Sequence, residues 1–124
     1  GGYIMDSSQK DPEIVIFSTG SEVSLALDVK QILKHISIQV VNLGCWEIFD
    51  EQSESYRKKV LGPNNCFRVS IESGITMGWE KYTGINGLNI GINTFGKSAP
   101  GEVLAEYFGF NADKISKRIL KHFK

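Results

Sequence analysis

Thr19, Gly20 and Ser21 are the residues best placed to do chemistry. They stand between a run of four apolar residues, Ile14-Val15-Ile16-Phe17, and a stretch of helical periodicity. Two hydroxyls and the free N–H groups of a first helical turn could hold a phosphate, because unpaired donors and the helix dipole both favour negative charge there. Glu22 and Glu72 would repel such an anion, and neither a GxGxxG fingerprint nor a Walker lysine occurs. Thr19 and Glu22 also have the spacing of a capping box, in which hydroxyl and carboxylate reciprocally satisfy backbone N–H groups. Capping and anion binding are both open readings of this turn.

Glu72 and Glu80 have the chemistry of an acid and a base if desolvated side by side, but nothing in the sequence places them together. His35 and His122 fall near helix ends, where an imidazolium suits the dipole, and neither has a serine or cysteine partner in sequence, so both are expected at the surface. Cys45 and Cys66 are too far apart for a CxxC pair and are expected to be two reduced thiols in or near the core. No His, Cys, Asp or Glu spacing suggests a metal. Trp46, Trp79, Tyr82 and Phe95 fall in expected loops, where aromatics either anchor an interface or close a lid over the core. The candidate interface or anion-binding residues are therefore Thr19, Ser21, Trp46, Glu72, Trp79, Lys81 and Tyr82.

The elements that must position these residues follow from periodicity. A continuous apolar run needs cover on both faces, so residues 14–17 read as a central strand of a parallel sheet. Leu25, Val29, Ile32, Leu33 and Ile36 recur at helical spacing, with Val23, Ala26 and Leu27 widening the apolar face enough to lie on that sheet. Tyr3 to Met5 is a short edge strand, and Ser37 to Leu43 is the next strand, placed parallel to the first by a right-handed crossover. Gly44 to Phe49 reads as a connecting turn, and Asp50 as the cap of a helix carrying Glu51 early, Lys58 and Lys59 late, and Gly62-Pro63 as its stop. Glu54 and Lys58 form an i,i+4 pair on its wet face.

Phe67 to Glu72 and Leu88 to Ile92 complete the strands, separated by a Gly-rich loop over residues 73–84. Ser98, Pro100 and Glu102 open a helix that runs to Phe108, and Asn111 caps a last one through Phe123 with Ile115, Ile119, Leu120 and Phe123 inside. The whole is one α/β domain with helices on both faces of a mostly parallel sheet. In such sheets ligands sit beyond the carboxyl ends of the strands, which here brings Thr19-Gly20-Ser21 near Glu72.

Composition bounds the function. With 124 residues, 41% hydrophobic and 23% charged, one soluble domain with one core is expected. Basic and acidic residues balance at 14 each, and no basic run is dense enough to track a phosphate backbone, so nucleic acid is not an expected partner. No apolar run approaches the ~20 residues of a membrane span, and no secretory signal opens the chain, so a cytoplasmic protein without a membrane partner is expected. The chain starts Gly1-Gly2-Tyr3 without an initiator Met and runs straight into a strand, as expected of a piece cut from something longer.

Four runs, in order, resemble the C-terminal domain of transketolase. They are Thr19 to Ala26; Cys45-Trp46-Glu47-Ile48-Phe49-Asp50 with Tyr56-Arg57; Ser70-Ile71-Glu72-Ser73-Gly74 with Gly78-Trp79-Glu80-Lys81-Tyr82; and Thr94-Phe95-Gly96-Lys97-Ser98-Ala99-Pro100 ending in Phe108-Gly109-Phe110. Gly44 stands where that family commonly has Pro, which bears on the rigidity of one turn. The resemblance implies a three-layer α/β/α fold with a five-stranded mixed sheet whose short first strand is antiparallel to the rest. It implies a parent enzyme that moves a two-carbon ketol unit between sugar phosphates with thiamine diphosphate and a divalent metal, Mg or Ca. It also implies a homodimer, with N-terminal and middle domains that carry the cofactor motifs; neither motif occurs here, so no catalytic, cofactor or metal residue is assigned and the chain alone is expected to be inactive. The corresponding domain of a deoxyxylulose phosphate synthase or dehydrogenase E1, and a free-standing phosphate-binding module, are the alternatives.

Overall fold

A computed structural model describes residues 2–7, 11–20, 22–72, 78–91 and 111–123. The elements are β1 (Gly2–Asp6), β2 (Ile14–Ser18), α1 (Glu22–Ile32), β3 (Ile38–Leu43), α2 (Trp46–Glu51), α3 (Glu54–Leu61), β4 (Phe67–Glu72), α4 (Glu80–Thr83), β5 (Leu88–Gly91) and α5 (Ala112–Phe123). The expected helix from Ser98 to Phe108, together with Ser21, Ile92 and Phe95, lies outside the described residues.

Five strands form one sheet in the order β1-β3-β2-β4-β5, with β1 antiparallel to β3 and the other neighbours parallel. All of β2 is buried, as a strand covered on both faces must be. Alternation along it divides the core. Ile14 and Ile16 join Ala26 and Val29 of α1 and Ile115 and Ile119 of α5 on one face. Val15 and Phe17 join Phe49 of α2, Val60 of α3, Trp79 and Tyr82 on the other. Sandwiching the sheet in this way makes the three layers.

Two expectations about the second helical region need correction. Residues 46–49 are not a turn, since Trp46 opens α2 and Phe49, 1% exposed, is driven onto the sheet. Asp50 is therefore inside α2 and caps nothing. The chain breaks at extended Gln52, and Ser53 caps α3, its hydroxyl accepting from Tyr56 N at 3.3 Å. Gly62 ends α3 at φ +77, where a Cβ would come within 2.8 Å of Val15 Cγ2, so both conformation and space require glycine. The expected Glu54–Lys58 pair is present at 3.3 Å.

Ile32 also departs from expectation. Val23, Ala26, Val29 and Leu33 are buried, but Ile32 is 43% exposed, because α1 ends there and the chain turns before Ile36 re-enters the core. At the other terminus Asn111 Oδ1 accepts from Lys114 N at 3.0 Å, capping α5. The Gly-rich loop expected over residues 73–84 contains a helical turn, α4, at its end, and among the described residues no helix is long and apolar enough to cross a membrane.

Candidate functional site

β2 and β4 run side by side in register, Ser18 opposite Ile71, so the residues just past their ends meet. Thr19 Oγ1 donates to Glu72 Oε2 at 2.6 Å, a short, charge-assisted bond between two half-buried groups. The N–H groups of Glu22 and Val23 donate to the carbonyls of Thr19 and Gly20 at 3.1 and 3.3 Å, so backbone carbonyls meet the first turn of α1. Thr19 and Glu72 thus form a carboxylate-bearing pair rather than a bare anion cradle. Ser18, the last residue of β2, follows Ile14 and Ile16 onto the α1 face. It is fully buried, and among the described residues its Oγ has no hydrogen-bond partner.

The other candidates gather on the opposite face. Trp46, Trp79 and Tyr82 pack edge to face, with ring centroids 4.9 Å apart for Trp46 and Trp79 and 5.1 Å for Trp46 and Tyr82, and Phe49 meets Tyr82 at 5.8 Å. Trp79 is 3% exposed and Tyr82 5%, so within this chain both rings pack as a lid over the core. Gly78 sits under this cluster, 3.1 Å from Trp46 Cζ3 to where its Cβ would be. Lys81 is joined to Asp50 Oδ2 by an ion pair, and Tyr82 OH donates to Asp50 Oδ1 at 3.1 Å.

This arrangement sets three pKa values. The Lys81 ammonium, and then the Tyr82 hydroxyl, hold the Asp50 carboxyl below its usual range against the opposing effect of desolvation. The same hydrogen bond raises Lys81. Burial first, and then Asp50, push the Tyr82 phenol up. All three remain in their usual charge states at neutral pH, which suits a structural clamp rather than proton transfer. Sequence reasoning missed Asp50 because its partners lie 31 and 32 residues away. It also missed Ser70 and Thr83, whose buried hydroxyls lie 2.8 and 2.9 Å from Asn89 Oδ1.

The remaining chemistry-bearing residues are dispersed. Glu80 and His35 are exposed, and His122 Nδ1 lies 2.9 Å from Arg118 O. Cys45 and Cys66 are free thiols, and burial raises Cys66, which keeps it protonated. Among the described residues no three His, Cys, Asp or Glu side chains converge as metal ligands. A cavity of about 420 Å³ opens at the opposite end of the sheet, lined in part by Arg68, Asn86 and Phe123. Arg68 is committed to capping α3, with Nε donating to Leu61 O at 2.8 Å and Nη2 to Gly62 O at 3.1 Å.

Comparison with known proteins places this geometry. The profile of the Transketolase-like TK C-terminal domain matches residues 1–111. The chain is 46% identical to a transketolase of Aquifex aeolicus over 98% of its own length and 18% of that protein. It is 41% identical to chloroplastic transketolase-1 of Arabidopsis thaliana, covering 93% of this chain and 16% of the relative. Transketolase from Leishmania mexicana superposes with a TM-score of 0.89 at 35% identity, covering 99% of this chain and 18% of that one. Pichia stipitis transketolase in complex with sedoheptulose 7-phosphate gives 0.87 at 36% identity with the same coverage. The chain therefore spans less than a fifth of the length of these relatives.

Proposed function

The chain belongs to the transketolase C-terminal domain family, and from that premise we propose that it works as the packing and assembly domain of a transketolase. The parent enzyme, in this reading, moves a two-carbon ketol unit between sugar phosphates as a homodimer in the cytoplasm, although the Arabidopsis relative is named as chloroplastic. Its partners are the N-terminal and middle domains of the same enzyme. The observation that carries the proposal is the 46% identity sustained over 98% of the chain to a protein named transketolase.

Thiamine diphosphate and a divalent metal would supply the carbanion chemistry in that parent. The described residues do not fit them: no ligand cluster is present among them, and Glu72, beside the turn before α1, is engaged by Thr19. A diphosphate–metal pair would need converging oxygen ligands, and the aminopyrimidine ring of the cofactor would need a carboxylate partner. No step of ketol transfer is assigned to this chain. Its own residues build a five-stranded sheet packed on both faces, and the outer surface of those layers would meet the rest of the enzyme.

Two measurements test this reading. A chimera in which this chain replaces the matching segment of the Aquifex aeolicus relative should fold, dimerise and retain thiamine-dependent ketol transfer. The purified 124-residue chain should show neither ketol transfer nor a thermal shift with thiamine diphosphate and Mg²⁺, whereas a true ligand at a hundredfold excess over Kd would add roughly 2.7 kcal/mol. An inactive, well-folded chimera or a saturable shift with the isolated chain would overturn the proposal.

A further inference from the structure

We propose that Asn86-Gly87 is a self-modifying site, at which the Gly87 backbone nitrogen cyclises onto the Asn86 side chain and converts it to aspartate and isoaspartate. It is the one Asn-Gly pair in the sequence. Gly87 has no side chain to shield its nitrogen, and glycine backbone reaches conformations closed to other residues. Asn86 is exposed in the turn between α4 and β5, beside Ile85, which is 97% exposed. Among the described residues one backbone bond closes this turn, Gly87 N to Gly84 O at 3.2 Å, the long end of the normal range. A solvent-exposed turn closed by so long a bond opens locally at low cost on its Asn86 side.

The chemistry needs only water. Deprotonated Gly87 N forms a bond to Asn86 Cγ, and the Cγ–NH₂ bond breaks with ammonia leaving, which closes a succinimide. Water then opens the ring at either carbonyl. Cleavage of the bond from Gly87 N to Cγ restores a normal backbone with aspartate, while cleavage at the main-chain carbonyl routes the backbone through Cβ and Cγ and lengthens it by one methylene.

The fold makes the second product costly. Gly87 is wedged so tightly that a Cβ there would lie 2.4 Å from Thr83 O and 2.8 Å from Arg68 O. Leu88 follows at once and pairs with Val69 in the sheet. An extra backbone atom therefore has no slack to occupy before β5 begins. Both products also place a carboxylate in the cavity that Arg68 lines.

The test is to incubate the folded chain in mildly alkaline buffer, map its peptides by mass and chromatography, and melt the separated products. We expect the peptide bearing Asn86 to split into aspartyl and isoaspartyl forms faster than those bearing Asn64, Asn65 or Asn111. Its rate should rise with pH, and Asn86→Gln should abolish it. The isoaspartyl form should melt below Asn86→Asp, which carries the same charge without the lengthening. Conversion that leads at another asparagine, conversion of Asn86 only in denaturant, or equal melting of the isoaspartyl form and Asn86→Asp would overturn the proposal.

Discussion

Thr19 Oγ1 and Glu72 Oε2, 53 residues apart in the chain, are 2.6 Å apart in space and tie together the carboxyl ends of β2 and β4. Next to this well-made bond sits its opposite, the fully buried Ser18 hydroxyl, whose oxygen has no partner among the described residues. Two adjacent hydroxyl deletions should therefore have opposite signs. Thr19→Val should cost about 1.5–3 kcal/mol, the range for a hydrogen bond to a charged group. Ser18→Ala removes a desolvated, unsatisfied group and should be neutral or stabilising. Urea denaturation of the two variants checks this; equal losses would mean that Ser18 finds a partner in solution.

Trp79→Ala should be severe. Its ring is 3% exposed and packs against Trp46 and Tyr82 over the β2 face. Aromatic-to-alanine changes in a core cost about 3–5 kcal/mol, a large share of the roughly 5–15 kcal/mol that stabilises a domain. The near-ultraviolet circular dichroism of the isolated chain should weaken and its melting temperature fall sharply. Trp46→Ala, at a partly buried position, should cost less. Retention of full stability by Trp79→Ala would show that Trp79 serves an interface rather than the core of this domain.

The Asp50–Lys81–Tyr82 clamp predicts a pH window. The folded-state pKa of Asp50 is depressed, so its contribution is present above the unfolded value and is lost as pH falls through the folded one. Lys81 is raised, so its contribution is full below the unfolded value and is lost as pH rises through the folded one; the raised Tyr82 phenol acts in the same direction. The advantage of wild type over Asp50→Asn should therefore be flat through neutrality and fade at both the acid and the strongly alkaline end. Because Lys81 is exposed, the plateau should be small and shrink with added salt. Thermal melts of both proteins across pH measure it, and a pH-independent difference would show that Asp50 acts through packing alone.

What the sequence determined by itself is everything enforced within a few residues. The unbroken Ile14 to Phe17 run required two-sided cover, the 3.6-residue spacing of Ile115 and Ile119 set the inner face of α5, and Gly62 could only stop a helix. Motif order carried the family as well. The meeting of Thr19 with Glu72 was expected from strand order, whereas the structure alone decided the break between α2 and α3, the exposure of Ile32, the burial of Trp79 and Tyr82, and the partners of Asp50. Short segments such as residues 46–51 and 80–83 have too few turns for their own periodicity to choose a state. Their conformation was settled by the apolar area that Phe49 and Tyr82 bury in the cluster with Val15, Phe17, Val41 and Leu43, and that area exists only once strands distant in sequence have assembled into the sheet.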